Sequence, residues 1–162
     1  MLNGKHQKRV LVIGGSNLQL PAIEKAKEMG LYVGVLDYNP HAIGIPLADE
    51  YFNVSTVDEQ GVFKAAKTFS ADGIVTLAAD MPMRAVAYAC NKLGLVSISY
   101  DTALKSTDKG EMRRSFEQGG VNHPWFVIID SFEQLQNISS KVMYPCISLC
   151  NKAIEHIHVS IY

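Results

Sequence analysis

Short runs of consecutive apolar residues alternate along the first hundred residues with longer segments whose apolar residues recur every three or four positions. The runs have the length of strands buried on both faces, and the longer segments have the period of amphipathic helices. The predicted strands are 9–13, 31–36, 51–54, 73–77 and 95–98. Because strands joined by helix-length crossovers run parallel, the pattern predicts an open, doubly wound α/β sheet with helices on both faces.

Local signals place the starts of the intervening helices. Pro21 falls where the first turn of a helix tolerates a missing N–H. Ser55 and Thr56 stand three residues before Asp58 and Glu59, a spacing similar to a capping box, so the second helix is expected to begin there.

The pattern changes after residue 100. Residues 102–118 are rich in charge and in helix formers, 123–130 is a strand-like run, 131–140 is a predicted helix, and 143–147 begins another strand. These segments indicate the opening of a second structural unit that is too short to make a core of its own.

Composition narrows the class of protein. The 162 residues are 48% hydrophobic and 19% charged, with a formal net charge of −1. Neither sign dominates, so a nucleic-acid or membrane surface is not expected, and no stretch approaches the length of a membrane span. Three cysteines without a CxxC pair favour a reducing, cytoplasmic setting. His156 and His158 have no carboxylate or cysteine at a suitable spacing, so no metal site is predicted.

The turn that follows the first strand is the first candidate site. Gly14, Gly15 and Ser16 join this strand to the first helix at the carboxyl edge of the predicted sheet, where backbone N–H groups and a helix N-terminus favour an anion. A tight turn that needs small residues explains the same sequence. Leu18 and Gln19 break the GxGxxG pattern, which disfavours a nicotinamide-binding Rossmann domain.

Two aspartates follow strands at the same predicted edge. Asp37 could hold a ribose hydroxyl, as an acid at this place does in dinucleotide-binding folds, or could form a turn with Tyr38, Asn39 and Pro40, which we favour. Asp80 could cap the third helix, which we also favour, or face the same cleft as Gly14.

Taken together with the segment around Lys109, these motifs resemble the N-terminal part of an ATP-grasp ligase. Biotin carboxylase and carbamoyl phosphate synthetase belong to the same superfamily. The resemblance covers about residues 8–147. It lies in the order of the Gly-rich turn, LDYNP at 36–40, ADEY at 48–51, DGIVT at 72–76, Asp80, LGL at 93–95, TDK at 107–109 with Arg113, GGVNHP at 119–124 and YPCI at 144–147.

The resemblance implies a Rossmann-like pre-ATP-grasp domain followed by the start of an ATP-binding lobe. Residues 1–100 would form the pre-ATP-grasp domain, residues 101–147 the incomplete start of the ATP-binding lobe, and residues 148–162 a divergent tail. Lys109 matches the nucleotide-contacting lysine of the family's Asp–Lys motif, and ATP with Mg²⁺ would serve ATP-dependent carboxylate–amine or carboxylate–thiol ligation.

The chain departs from the family after residue 147. Ser148, Leu149 and Cys150 stand where a second ATP-binding lysine, a proline and a glycine-rich loop are usual. We therefore expect a truncated or frame-shifted ligase without catalytic residues, inactive alone and without tight ATP or Mg²⁺ binding. We expect the tail to be loosely held, although the alternation over 157–161 also fits a strand.

Two other classes remain open. One is a non-catalytic module that dimerises or binds a small carboxylate or phosphate at Gly14–Asn17; the other, less favoured, is the nicotinamide-binding domain. A homodimer is expected, because removal of the ATP-binding lobes would expose the surface that they cover.

Overall fold

The computed structural model describes residues 7–142 in full, and the backbone alone of 147–150 and 157–160. In the described part, strands and helices alternate up to residue 93 as the hydrophobic pattern predicts, except that a loop with one short 3-10 turn joins the second strand to the third. The elements are β1 Arg9–Ile13, α1 Leu20–Glu28, β2 Tyr32–Leu36, β3 Glu50–Phe52, α2 Glu59–Phe69, β4 Gly73–Thr76, α3 Met83–Leu93, α4 Tyr100–Thr107, α5 Lys109–Gln118, α6 Phe132–Ile138, β5 Ile147–Cys150 and β6 Ile157–Ser160.

The first four strands form one parallel sheet in the order β3-β2-β1-β4. β1 lies inside the sheet, with Leu11 opposite Gly34 of β2 and Ile74 of β4. Every neighbouring pair in this sheet is parallel, so each connection crosses the sheet through a helix or a long loop. The predicted α/β fold with a parallel sheet is therefore confirmed.

Helices cover both faces of this sheet. On one face α2 and α3 pack against β1, β2 and β4 through a core whose largest fully buried side chain is that of Phe69. On the other face α1 packs its buried Ile23 and Ala26 against Val12, Val33 and Val35 of the two inner strands. Alternate residues of β1 therefore enter opposite cores, which explains why the strand is apolar throughout.

Two predicted strands are absent from the described structure. Residues 95–98 pair with no strand; the Leu95 N–H instead donates to the Cys90 carbonyl at 2.9 Å, and Val96 is fully exposed. Residues 123–130 also form no strand, and Ile129 is buried in a small cluster with side chains of α6 and its flanks. Both predictions were wrong because an apolar run also serves to cover a helix end or to fill a small core.

The predicted capping box before α2 was also wrong. Asp58, not Ser55 or Thr56, is the N-cap residue, and its side chain accepts a hydrogen bond from the Gly61 N–H at 3.0 Å. Asp58 takes the N-cap position because its carboxylate accepts directly from an N–H of the first turn. A capping box that begins at Ser55 would start the helix about one turn earlier.

The chain divides into two compact units, Met1–Ala103 and Leu104–Tyr162. In the second unit, β5 and β6 pair antiparallel, with Ile147 opposite Ser160 and Cys150 opposite Ile157. The strand interpretation of the tail is thus confirmed over 157–160, and its partner is residues 147–150 of the same unit. The start predicted for that partner, 143–146, lies outside the described residues. In the part of the chain that is described, no helix is both long and apolar enough to cross a membrane.

Candidate functional site at the carboxyl edge of the sheet

The strand order places the loops after β1, β2 and β4 at one edge of the sheet. Chain order runs outward from β1 to β3 on one side, and β4 then returns to the opposite side of β1. In open α/β sheets, ligands bind at the carboxyl ends of the strands where the order reverses in this way. The candidate residues Gly14, Asp37 and Asp80 all belong to these loops, so the topology groups them as the sequence predicts.

The backbone N–H groups of the first loop already have acceptors within the chain. The Gly14 N–H donates to the Leu36 carbonyl at 2.8 Å, the Gly15 N–H to Asp37 Oδ2 at 2.8 Å, and the Ser16 N–H to Gln19 Oε1 at 3.2 Å. Gly14 has φ of +97°, in the left-handed region that favours glycine. The loop is therefore a tight turn held from inside; anion binding by these residues stays a prediction.

Asp37 forms the turn that the sequence favours, and it also links two loops. Its Oδ1 accepts from the Asn39 N–H at 2.9 Å, the bond of an Asx turn, while its Oδ2 accepts from Gly15. The side chain is 7% exposed. A Cβ on Gly15 would lie 3.0 Å from Val35 Cγ1 and 3.1 Å from Ala42 Cβ, so the close approach of the two loops requires the small residue.

Gln19 is a functional candidate that the sequence reasoning missed. Its Oε1 accepts from Ser16 Oγ at 2.6 Å, and its Nε2 donates to the Leu77 carbonyl at 2.5 Å, across the point where the strand order reverses. The residue is 4% exposed. The sequence does show a large polar residue directly before the apolar stripe of α1, which could have drawn attention to Gln19. The partner of Gln19, Leu77, becomes evident only once β4 is placed beside β1.

Asp80 does not cap α3, contrary to the favoured interpretation. The N-cap residue is Pro82, without a side-chain cap, and Asp80 contributes only its carbonyl, which accepts from the Met83 N–H at 3.0 Å. Its side chain is exposed at the carboxyl edge. Ala78 in the same loop has φ of +54°, a conformation that costs a non-glycine residue about 1–2 kcal/mol. α3 therefore begins at Met83 without a side-chain cap.

The Asp–Lys pair lies at a helix start in the second unit. Asp108 is the N-cap of α5, where its side chain accepts from the Glu111 N–H at 3.0 Å, and Lys109 is the first residue of the helix. The cap explains why the charged segment 102–118 breaks into α4 and α5. A role for Lys109 in nucleotide binding stays a prediction.

A cleft of about 260 Å³ opens beside the first two loops. Its lining is Ser16, Asn17, Asp37, Tyr38, Asn39, His41, Ala42 and Ile43. Bonds between the loops hold the walls: the Gly44 N–H donates to the Gly15 carbonyl at 2.8 Å, and Tyr51 Oη donates to the Asp37 carbonyl at 2.9 Å. The walls of the cleft are therefore bonded to one another, and its lining combines polar side chains with the apolar Ala42 and Ile43.

A larger cavity of about 530 Å³ in the first unit is lined by residues of α2, α3 and α4. There Tyr100 Oη donates to Glu59 Oε1 at 2.6 Å, and the Tyr88 ring meets the Tyr100 ring edge to face. The bond to Glu59, with burial and the negative charge of that carboxylate, raises the pKa of Tyr100 above its ordinary value. The same bond joins α4 to α2 at the cavity wall.

Solved structures decide the fold family. The chain matches phosphoribosylglycinamide synthetase from Anaerococcus prevotii with a TM-score of 0.73 and 25% identity, over 97% of this chain. It matches N5-carboxyaminoimidazole ribonucleotide synthetase from Thermotoga maritima with a TM-score of 0.72 and 20% identity over 96%, and L-amino acid ligase from Bacillus licheniformis with 0.72 and 21% over 98%. All three are ATP-grasp ligases. This chain has the fold of the N-terminal part of an ATP-grasp ligase.

The match spans a minority of each of these larger proteins. The chain covers 39%, 41% and 40% of the three chains, respectively. A biotin carboxylase domain from Hydrogenobacter thermophilus, solved with MgADP and bicarbonate, is similar at 18% identity and a TM-score of 0.70, with 96% of this chain covered and 38% of that one. Neither a protein-family model nor a curated protein matches the chain. The resemblance drawn from the sequence is thus confirmed as an ATP-grasp fold.

Proposed function

We propose that this chain is the N-terminal part of an ATP-dependent ligase of the ATP-grasp type, in which the first unit supplies a wall of the substrate site. The observation that carries the proposal is the structural match over 97% of the chain to a phosphoribosylglycinamide synthetase, with a TM-score of 0.73. In such a ligase, ATP phosphorylates a carboxylate, and an amine or thiol then displaces phosphate from the acyl phosphate. ATP and magnesium are the cofactors that this proposal implies.

The two units would contribute differently to that reaction. Lys109, at the first position of α5, would contact the nucleotide through its ammonium group, which can pair with phosphate oxygens. The residues described fully contain no group of three His, Cys, Asp or Glu side chains that could hold a metal ion. The described residues therefore do not fit a magnesium site, and we expect the chain alone to be inactive.

Genomic sequence next to the coding region gives a direct test. If the chain is part of a ligase, translation of the downstream DNA in all three frames should yield an ATP-grasp remainder with a second ATP-binding lysine, a glycine-rich loop and magnesium-binding carboxylates. Absence of such a remainder would favour the alternative, a non-catalytic module that dimerises or binds a small ligand.

Nucleotide assays test the role of Lys109 and the inactivity separately. Phosphate release from ATP by the chain should equal background, because phosphoryl transfer depends on metal and cations that are positioned around the γ-phosphate. The weak binding of a fluorescent ATP analogue should weaken further in Lys109→Ala and should not change in the exposed Lys141→Ala control. Hydrolysis that Lys109→Ala abolishes would overturn the proposed inactivity.

A further inference from the structure

One face of α3 forms most of the lining of the larger cavity in the first unit. Tyr88, Asn91 and Lys92 are spaced i, i+3 and i+4, so their side chains share this face of the helix. The chain after α3 is held against the same face, because Asn91 Nδ2 donates to the Ile98 carbonyl at 3.1 Å. Tyr100, the first residue of α4, is thereby brought to the cavity.

Two tyrosine rings give the cavity an aromatic wall. The centroids of Tyr88 and Tyr100 lie 6.3 Å apart, with an angle of 76° between the ring planes. The bond from Tyr100 Oη to Glu59 Oε1, at 2.6 Å, ties the second ring to α2. The volume of about 530 Å³ falls within the roughly 300–1,000 Å³ of small-ligand sites. A ligand with an aromatic ring suits this wall, because aromatic rings attract one another in offset and edge-to-face arrangements.

Lys92 is the one positively charged residue among the five that line this cavity. Its Nζ lies over the Tyr88 ring, 5.8 Å from the centroid. In the part of the chain that is described, no carboxylate lies within ion-pair distance of this ammonium group. Glu59, the carboxylate of the lining, already accepts from Tyr100. An anionic ligand would therefore gain a charge partner here, whereas a cationic ligand would meet Lys92 at the cation–π position of the ring.

We propose that this cavity binds a small aromatic carboxylate, whose ring packs against Tyr88 and Tyr100 and whose carboxylate accepts hydrogen bonds from the Lys92 ammonium group. Lys92 is exposed, so the charge pair contributes up to about fivefold in affinity, and the ring contact contributes a factor of similar size. The site uses neither the loops at the carboxyl edge nor Lys109. The proposal therefore goes beyond the proposed ligase function, and the two fail separately.

Naphthoate is the probe, and three related compounds each change one of its features. Naphthamide lacks the charge, hexanoate lacks the ring, and naphthylmethylammonium reverses the charge. We would titrate the isotope-labelled full chain and follow the backbone amide resonances of Lys92 and Tyr100. Both should shift saturably with naphthoate, and naphthamide and hexanoate should each bind about threefold more weakly. The ammonium compound should give no saturable shift. Added salt should weaken naphthoate binding and leave naphthamide binding unchanged, because salt screens the exposed charge pair.

Each opposite result contradicts a stated part of the proposal. Absence of saturable shifts with naphthoate overturns the site. Equal affinity for naphthamide overturns the role of the carboxylate, and equal affinity for hexanoate overturns the role of the ring. Saturable binding of naphthylmethylammonium would instead identify an aromatic site for cations, with Glu59 as the charge partner.

Two lysine variants locate the charge. Lys92→Gln keeps a helix-forming residue in the last turn of α3 and should lower the affinity for naphthoate to that for naphthamide. Lys67→Gln is the matched control, because Lys67 is an exposed lysine in the last turn of α2 and does not line the cavity. Its affinity for naphthoate should equal that of the parent chain. Unchanged affinity in Lys92→Gln, or an equal loss in both variants, overturns the proposal.

A tyrosine variant locates the ring contact. Tyr100→Leu removes an aromatic ring that is 37% exposed, and it should weaken naphthoate binding about threefold while leaving hexanoate binding unchanged. The amide spectrum of the variant shows whether the first unit remains folded. An equal loss for the two carboxylates would contradict ring packing, and Lys92→Gln tests the site independently where the tyrosine variant does not fold.

Discussion

The carboxylate of Asp37 accepts a hydrogen bond from the backbone N–H of Gly15, 22 residues earlier in the chain, at 2.8 Å in a buried position. One bond thus joins the loop after β1 to the loop after β2. An aspartate here satisfies the N–H that a tight glycine turn leaves pointing inward, and buried N–H groups without an acceptor are rare in native proteins.

Removal of that carboxylate should destabilise the first unit. In Asp37→Ala, the buried Gly15 N–H loses its acceptor, and the free energy of unfolding should fall by about 1–3 kcal/mol. Urea denaturation followed by circular dichroism measures the change. Asp80→Ala is the matched control, because that exposed side chain makes no cap, and its midpoint should equal that of the parent chain. Equal stability of the two variants would contradict the structural role of Asp37.

The sequence predicts the inner strands β1 and β2 because each is an apolar run bounded by turn residues, and strands buried on both faces require that pattern. The same signal fails at 95–98, where Leu95 covers the end of α3 and no strand pairs with it. An apolar run predicts that a segment is buried, but it does not predict which element the segment packs against. Likewise, the local sequence identifies Asp37 as a turn residue. The bond from Gln19 to Leu77 instead depends on β4 lying beside β1, and a local sequence pattern does not determine strand order.

Gly34 in β2 should tolerate no side chain. A Cβ there would lie 2.9 Å from two ring atoms of Phe69 and 3.0 Å from Leu11 Cδ1. Gly34→Ala should therefore lower the free energy of unfolding by about 1–3 kcal/mol, the usual cost of overpacking. Gly73→Ala in β4 is the control, since a Cβ there meets no atom within 4 Å. That variant should change stability by less than about 1 kcal/mol, and in the stabilising direction, because alanine restricts the unfolded chain. Thermal unfolding of both variants tests the contrast.

Asp49 should make the first unit sensitive to acid. Burial raises the pKa of Asp49, but the hydrogen bonds from Lys27 Nζ at 2.6 Å and the Val33 N–H at 2.7 Å outweigh it, so the pKa lies below its ordinary value of 3.8. A lowered pKa contributes stability that is present above pH 3.8 and is lost as the pH falls through the folded-state value.

The urea midpoint should therefore drop between pH 5 and pH 3 less steeply in Asp49→Asn than in the parent chain. The variant should already be less stable at pH 5, because it lacks the bonded carboxylate. Asp80→Asn provides the control for general acid effects, and its pH profile should follow that of the parent. Parallel profiles for Asp49→Asn and the parent would show that Asp49 does not carry this dependence.

The strand pair of the second unit should exchange its amide hydrogens faster than the inner strand of the first unit. β6 pairs only with β5 in the described structure, whereas β1 bonds to β2 on one side and to β4 on the other, under cores on both faces. A two-stranded sheet is marginally stable by itself, and exchange protection follows the free energy of local opening. Hydrogen exchange resolved by residue should show the amides of 157–160 less protected than those of Val10–Ile13. Equal protection would mean that the tail unfolds only with the first unit, and would remove the basis for treating the tail as loosely held.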